Sequence, residues 1–421
     1  MLALKLYQGF WSIAPFLIKK RLAKRGKVSS PYKEHWEERF GRPYHEPVVN
    51  GIWLHAVSVG EARAAQVIIE KLKQNYPERP FLITVMTPTA REQVRQLYPF
   101  AQCRYLPYDK KTYVQQFLRE HKPFMALWME TEIWPNFLFH LKWEGIPTFL
   151  LSARLSRASY ESYKRVRYLS RLAIQSFDIV FAQSTQDEVY FKALGAKNVQ
   201  VVGNSKYDIP ISPQAFKKAE CFRSYLEDPS RPIIVCGSTR AKNAVDEAYL
   251  LLSEWKQHKN QALLVIVPRH PANFTPVYEK ALQLGFNTVR RSQAKLITSE
   301  VEVVIGDSMG ELLAYYLCAS VAFVGGSLVN TGGQNILEPI RCKIPTIFGF
   351  STYHFAEVCR SALQAGCAIQ VHTVSQWYEV IDRLLTDKTR YNKMVLRTSE
   401  WIKAQEGASE AMVSKISSSL G

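Results

Sequence analysis

Glu61, Glu130 and Lys206 each follow a short apolar run, the place from which side chains do chemistry in α/β proteins. Glu61 closes the stretch Ile52–Val59, with Gly60 expected to supply the tight turn and a helix-like run, Ala62–Leu72, beyond it. A carboxylate at such a junction lies on the C-terminal edge of a sheet, and a helix N-terminus favours its ionised form. It reads as a proton acceptor at neutral pH. A first-turn glutamate that only complements the helix dipole fits the same spacing.

The second half of the chain offers a different chemistry, the holding of anions. Phe323-Val324-Gly325-Gly326-Ser327 ends a strand pattern, and Thr331-Gly332-Gly333-Gln334-Asn335-Ile336-Leu337-Glu338-Pro339 opens a helical one. Glycines let backbone N–H groups approach a phosphate, and Glu338 can accept hydrogen bonds from ribose hydroxyls. A glycine-rich turn with a polar cap is the plainer reading of that segment. Val267-Pro268-Arg269-His270-Pro271 adds a guanidinium at another strand end, and Gly306-Asp307-Ser308-Met309-Gly310-Glu311-Leu312 a further strand-to-helix turn. Three anion-friendly turns on one sheet edge point to a nucleotide site.

The elements that must position these residues alternate. Strand patterns at 52–59, 81–87, 124–129, 147–152, 178–183 and 199–202 are separated by helical ones, and a second series runs 232–237, 262–267, 302–305, 320–324, 344–348 and 367–371. Alternation of this kind predicts parallel sheets with helices on both faces. At 421 residues the chain is too long for one ordinary core. The expectation is an α/β protein of two Rossmann-like domains facing each other across a cleft. The join falls where Gly, Asn and Pro interrupt the pattern, giving 28–208 and 209–421 after an N-terminal segment, 1–27. Neither series opens with G-x-G-x-x-G, and no P-loop occurs, which disfavours NAD enzymes and P-loop ATPases. Asp-x-Asp is missing too; Glu130-Thr131-Glu132 is the nearest substitute, and no metal site is expected. The seven cysteines are scattered without C-x-x-C, as a reducing compartment permits.

Net charge is +17, which attracts nucleic acid, anionic membrane or phosphorylated substrates without choosing among them. Placement chooses better. Residues 1–45 carry ten Lys/Arg against three Glu, and Lys19, Lys20, Arg21, Lys24, Arg25 and Lys27 follow the apolar, aromatic-bearing run Leu2–Ile18. That arrangement reads as attachment to an anionic leaflet with the rest of the chain in the cytoplasm. A single span, an interfacial helix and a buried helix of the first domain all remain open. No nucleic-acid-binding module is recognisable.

Taken in order, seven segments resemble the Kdo transferases, lipopolysaccharide enzymes of the GT-B fold. They are His55–Glu61, Met129–Asn136, Ser152–Ser156, Gly203–Asp208, Val267–Pro271, Gly306–Leu312 and Gly325–Pro339, spread over residues 1 to about 400. The family moves 3-deoxy-D-manno-octulosonate (Kdo) from CMP-Kdo to the lipid A precursor at the cytoplasmic face of the inner membrane. The resemblance implies Glu61 as general base, Glu130 and Lys206 as a transition-state-stabilising pair, and CMP at Pro268, Arg269, Met309, Gly310, Glu311, Asn335, Ile336, Leu337 and Glu338. It also implies inversion, with CMP-Kdo as co-substrate and no separate cofactor. The chain departs from the family where Gln334 replaces a usual His and Ile336 a usual Pro. After Gly237-Ser238-Thr239 it reads Arg240-Ala241-Lys242-Asn243 instead of His-x-Gly-Glu. A GT-B homologue with another nucleotide-sugar donor, and a catalytically weak binder of lipid A precursor or membrane, stay open beside the leading reading.

Overall fold

Apolar runs too short for a helix become buried strands. The first sheet comprises β1 (Ile52–His55), β2 (Phe81–Val85), β3 (Gln102–Tyr105), β4 (Met125–Met129), β5 (Thr148–Ala153), β6 (Ile179–Ala182) and β7 (Val199–Val201). They pair in parallel in the order β3-β2-β1-β4-β5-β6-β7. Every residue of β1, β2, β4, β5 and β6 is buried, as a parallel sheet covered on both faces requires. The computed structural model describes residues 2–28, 30–258 and 261–420, without the side chains of 2, 25–28, 30 and 33.

The second sheet contains β8 (Ile233–Thr239), β11 (Leu263–Pro268), β12 (Thr288–Arg290), β13 (Val303–Ile305), β14 (Val321–Val324), β15 (Thr346–Phe348) and β16 (Ala368–Gln370). Its order is β12-β13-β11-β8-β14-β15-β16, again all parallel. Two short strands, β9 (Ala241–Lys242) and β10 (Val245–Asp246), form a separate antiparallel hairpin. Each sheet changes winding direction once, between β1 and β4 and between β8 and β14. Such switch points open the crevices where ligands bind.

These strands and the helices between them form two units, Met1–Ile209 with Gln405–Gly421, and Pro210–Ala404. The last helix, Ala408–Leu420, thus belongs to the first unit, whereas 209–421 reads as a single domain in the sequence. Asp208 is the physical reason. Its carboxylate accepts hydrogen bonds from Gly407 N–H (2.7 Å) and Ser409 N–H (2.6 Å), and Met412 and Ile416 enter the first core.

Two edge strands, β3 and β12, escape a search for apolar runs, because an edge strand alternates and carries polar residues such as Gln102 and Arg104. Gly60 also departs from expectation. The turn is made by Ala56–Ser58, and the helix begins at Val59 with Ser58 as its cap, so Gly60 lies in the first helical turn. The helix-like run Ala62–Leu72 falls in two helices, Val59–Ala64 and Gln66–Asn75.

Residues Leu2–Val28 form one helix with Pro15 inside it. One face docks on the first unit: Tyr7 donates to Asp109 (2.8 Å), Gln8 donates to Asn136 (3.0 Å), and Trp11 stacks on Tyr108. The other face leaves Leu6, Phe10, Ile13, Phe16 and Leu17 exposed, Phe16 at 73%. No helix among the described residues is long and apolar enough to cross a membrane. Lys19, Lys20, Arg21 and Lys24 are exposed, whereas the side chains of Arg25 and Lys27 lie outside the described residues.

Candidate active site

On the first unit the sequence-predicted residues converge at the switch point. Glu61 is the third residue of the helix that follows β1, and Ser58 caps that helix by accepting from Glu61 N–H. The carboxylate folds back on the turn: Oε2 accepts Val57 N–H (2.7 Å) and Oε1 accepts the Ser58 hydroxyl (2.9 Å). These bonds favour the charged form, but desolvation outweighs them, and the like charges of Glu130 and Glu132 act in the same direction. Its pKa rises to about 7. The expectation that the helix end would keep this carboxyl simply ionised is therefore too simple. Glu61 is half-buried and balanced between its two forms, as a general base at neutral pH should be.

Glu130 follows β4 with φ 53°, a left-handed conformation that costs a residue with a Cβ about 1–2 kcal/mol. The strain turns its carboxylate to Lys206, whose Nζ donates at 2.5 Å. Lys206 comes from the far side of the sheet, after β7, and a polar lattice brings it there. Asn204 accepts Lys206 N–H (3.0 Å) and donates to Gln183 (3.0 Å), while Gln183 donates to the Ser152 carbonyl (2.8 Å). Ser152, itself at φ 46°, bonds Ser205 through the two hydroxyls (2.8 Å). In the sequence Ser152 and Asn204 stand only as members of their segments and Gln183 carries no signal; nothing local in the chain reveals that these three act together.

In the sequence Glu132 stands out only as half of the Glu130-Thr131-Glu132 pair. Its carboxylate accepts Trp134 Nε1–H (2.7 Å) and lies 3.9 Å from His55 Nε2. His55 is wholly buried, held through Nδ1 by Thr84 (2.9 Å to the hydroxyl) and edged by Trp128 and Trp134. Burial lowers its pKa to about 3, so the ring is neutral. Among the described residues no group of three or more His, Cys, Asp or Glu is placed to hold a metal ion.

On the second unit the expected nucleotide residues follow β11, β13 and β14, on the same sheet edge as the end of β8. Pro268 ends β11, and the exposed Arg269 ties its N–H to the Thr239 carbonyl (3.0 Å). Met309 is 61% exposed beside Gly310 at φ 73°. Glu311 is already engaged, accepting the Ser308 hydroxyl (2.6 Å) and pairing with Arg291 (3.4 Å). Asn335 accepts Leu337 N–H (3.1 Å), and Glu338 lies in the short helix Leu337–Arg341. Ile336 is 1% exposed and Leu337 is buried as well, so both side chains are core.

The glycine segment does turn its amides on acid oxygens, but those of the Glu247 side chain. Its carboxylate accepts N–H bonds from Gly326 (2.6 Å), Ser327 (3.1 Å), Leu328 (2.8 Å) and Arg240 (3.2 Å). The amides of Gly326, Ser327 and Leu328 therefore do not meet phosphate, and further along the loop Gln334 and Asn335 are half-buried. Sequence reasoning missed Glu247 because the β9–β10 hairpin separates it from Gly237-Ser238-Thr239.

Two parallel α/β units with these sheet orders make the fold GT-B-like. UDP-GlcNAc 2-epimerase from Neisseria meningitidis shares the fold with a TM-score of 0.61 at 16% identity, over 87% of this chain and 99% of that one. The Anabaena protein Alr3699/HepE does so at 0.54 and 12%, over 88% and 99%. The sequence comparisons narrow the class. A family model described as 3-deoxy-D-manno-octulosonic-acid transferase (kdotransferase) matches residues 34–209. The 3-deoxy-D-manno-octulosonic acid transferase of Haemophilus influenzae is 32% identical over 92% of both chains, and that of Bordetella pertussis 31% over 91% of both. The chain belongs to the 3-deoxy-D-manno-octulosonic acid (Kdo) transferase family and is a glycosyltransferase.

Proposed function

We propose that this chain transfers Kdo from CMP-Kdo to a lipid A precursor in lipopolysaccharide biosynthesis, with inversion and without a metal. The observation that carries the reading is Glu61: a half-exposed carboxylate with a pKa near 7, at the switch point of a sheet, beside a lysine–glutamate pair. In the reaction a sugar hydroxyl of the acceptor attacks the anomeric carbon of Kdo and gives its proton to Glu61. The bond from that carbon to the CMP phosphate oxygen breaks, and CMP leaves with the electron pair. Lys206, held by Glu130, stabilises the charge that develops. Arg269 and the polar edge formed by Asn335 and Glu338 receive the nucleotide on the second unit.

The N-terminal helix supports a location at the cytoplasmic face of the inner membrane. Its exposed apolar stripe at positions 6, 10, 13, 16 and 17 has basic residues just beyond it, the make-up of a helix lying in an anionic leaflet. The experiment is a transfer assay with purified protein, CMP-Kdo made in situ and a tetraacyl lipid A precursor, read by mass spectrometry. A product heavier by one or more Kdo units, lost in Glu61→Ala, supports the reading. CMP binding without product sinks it and directs the search to other CMP-activated sugars.

A further inference from the structure

The hairpin β9–β10 gives the second unit a feature that its nucleotide residues do not account for. Its two turn residues, Asn243 (φ 50°) and Ala244 (φ 65°), both take left-handed conformations, as a tight two-residue hairpin demands. The base of the hairpin is locked: Glu247 N–H donates to the Arg240 carbonyl (3.1 Å), and Arg240 N–H donates to the Glu247 carboxylate (3.2 Å). That carboxylate also holds Gly326, Ser327 and Leu328, so one side chain fixes Arg240 against the glycine segment. Lys242 clips the hairpin arm to the Asn330 carbonyl.

Over Gly326 three side chains converge. A Cβ there would lie 2.9 Å from Thr331 Oγ1, 3.2 Å from Arg240 Cδ and 3.3 Å from Gln334 Nε2. Thr331 is spent on the Gly326 carbonyl (2.7 Å). Arg240 and Gln334 are both half-buried, and among the described residues neither the guanidinium nor the amide meets a hydrogen-bonding or ionic partner. Part-desolvated donors, one directly after β8 and the other in the loop after β14, meet over Gly326 beside the point where the sheet switches direction, and are arranged for an oxyanion from outside.

We propose that Arg240 and Gln334 are the residues that read the anionic oxygens of the donor, either its phosphate or the carboxylate of its sugar acid. The proposal rests on the reading of the second unit as the CMP-Kdo domain. Its test uses the full chain carrying Arg240→Ala, Arg240→Lys or Gln334→Ala, with CMP affinity measured by calorimetry and donor and acceptor KM measured separately. Arg240→Ala is expected to raise the donor KM roughly ten- to a hundred-fold, the worth of a charge-assisted hydrogen bond, and to leave the acceptor KM unchanged. Arg240→Lys should recover little of it, because an ammonium lacks the planar fork. A parallel loss of CMP affinity assigns the phosphate, and unchanged CMP affinity with a raised donor KM assigns the carboxylate. A wild-type chain that uses CMP-Kdo while Arg240→Ala matches it within about twofold in both readouts overturns the proposal alone. A wild-type chain that neither binds CMP nor transfers Kdo overturns both readings.

Discussion

Glu61 and Glu247 are two carboxylates in comparable places, each in the opening turn of the helix that follows the first strand of its sheet or its hairpin. Burial raises both to a pKa of about 7. They differ in what surrounds the oxygens. Glu61 accepts one backbone N–H and one hydroxyl and is half-exposed, so part of its accepting capacity remains for a substrate proton. Glu247 is 0% exposed and accepts four backbone N–H bonds, which consume its capacity and make it a clamp. A shifted pKa alone therefore does not separate the two carboxyls; access and unspent lone pairs do.

That comparison can be broken from either side, most sharply at the base. Glu61→Gln is expected to lower kcat by about 10²–10⁴-fold while CMP affinity and thermal stability stay near wild type. A transfer assay and calorimetry on the same preparation check it, and near-normal turnover would end the assignment. Glu247→Gln should do the reverse. An amide NH₂ would face N–H groups of Gly326 or Ser327, leaving buried donors unpaired at a cost of about 1–3 kcal/mol, visible as a lowered Tm and faster exchange of the 326–328 amides.

The pH dependence separates the two roles next. Turnover should rise with pH through about 7 as Glu61 ionises, and Glu132→Gln should move that limb to lower pH by removing a like charge. Stability should run the other way. A carboxyl whose folded pKa exceeds its unfolded value of about 4.3 binds more protons folded than unfolded, so its contribution is full below that value and is lost as pH rises to about 7. A Tm that climbs between pH 5 and 7 in wild type, and does not change its slope in Glu247→Gln, would contradict this. The smallest expected effect is Ala244→Gly, which relieves a left-handed alanine and should stabilise by about 0.5 kcal/mol in a denaturant melt.

Much of the fold was legible because parallel strands buried on both faces must be apolar throughout. Ile52–His55, Met125–Met129 and Leu263–Pro268 announce themselves for that reason. The edge strands β3 and β12 did not, since polar residues such as Gln102, Arg104 and Arg290 break up their short apolar pattern. Glu61, Glu130 and Lys206 were legible as charges beside strand ends. Nothing local showed that Lys206 would reach Glu130, because that depends on the end of β5 and the loops after β6 and β7 closing a lattice through Ser152, Gln183 and Asn204.

The sequence by itself determined the alternation of strands and helices, the family resemblance, the placement of a carboxylate at a strand end and the basic, apolar N-terminus. Those follow from local composition and order. The tertiary structure alone decided that the last helix returns to the first unit through Asp208, that Glu247 and not a phosphate occupies the glycine amides, and that Arg240 and Gln334 meet over Gly326. Each of these joins residues dozens to hundreds of positions apart. Contacts over such distances are set by packing and by the need to satisfy buried polar groups, not by any signal within a stretch of chain.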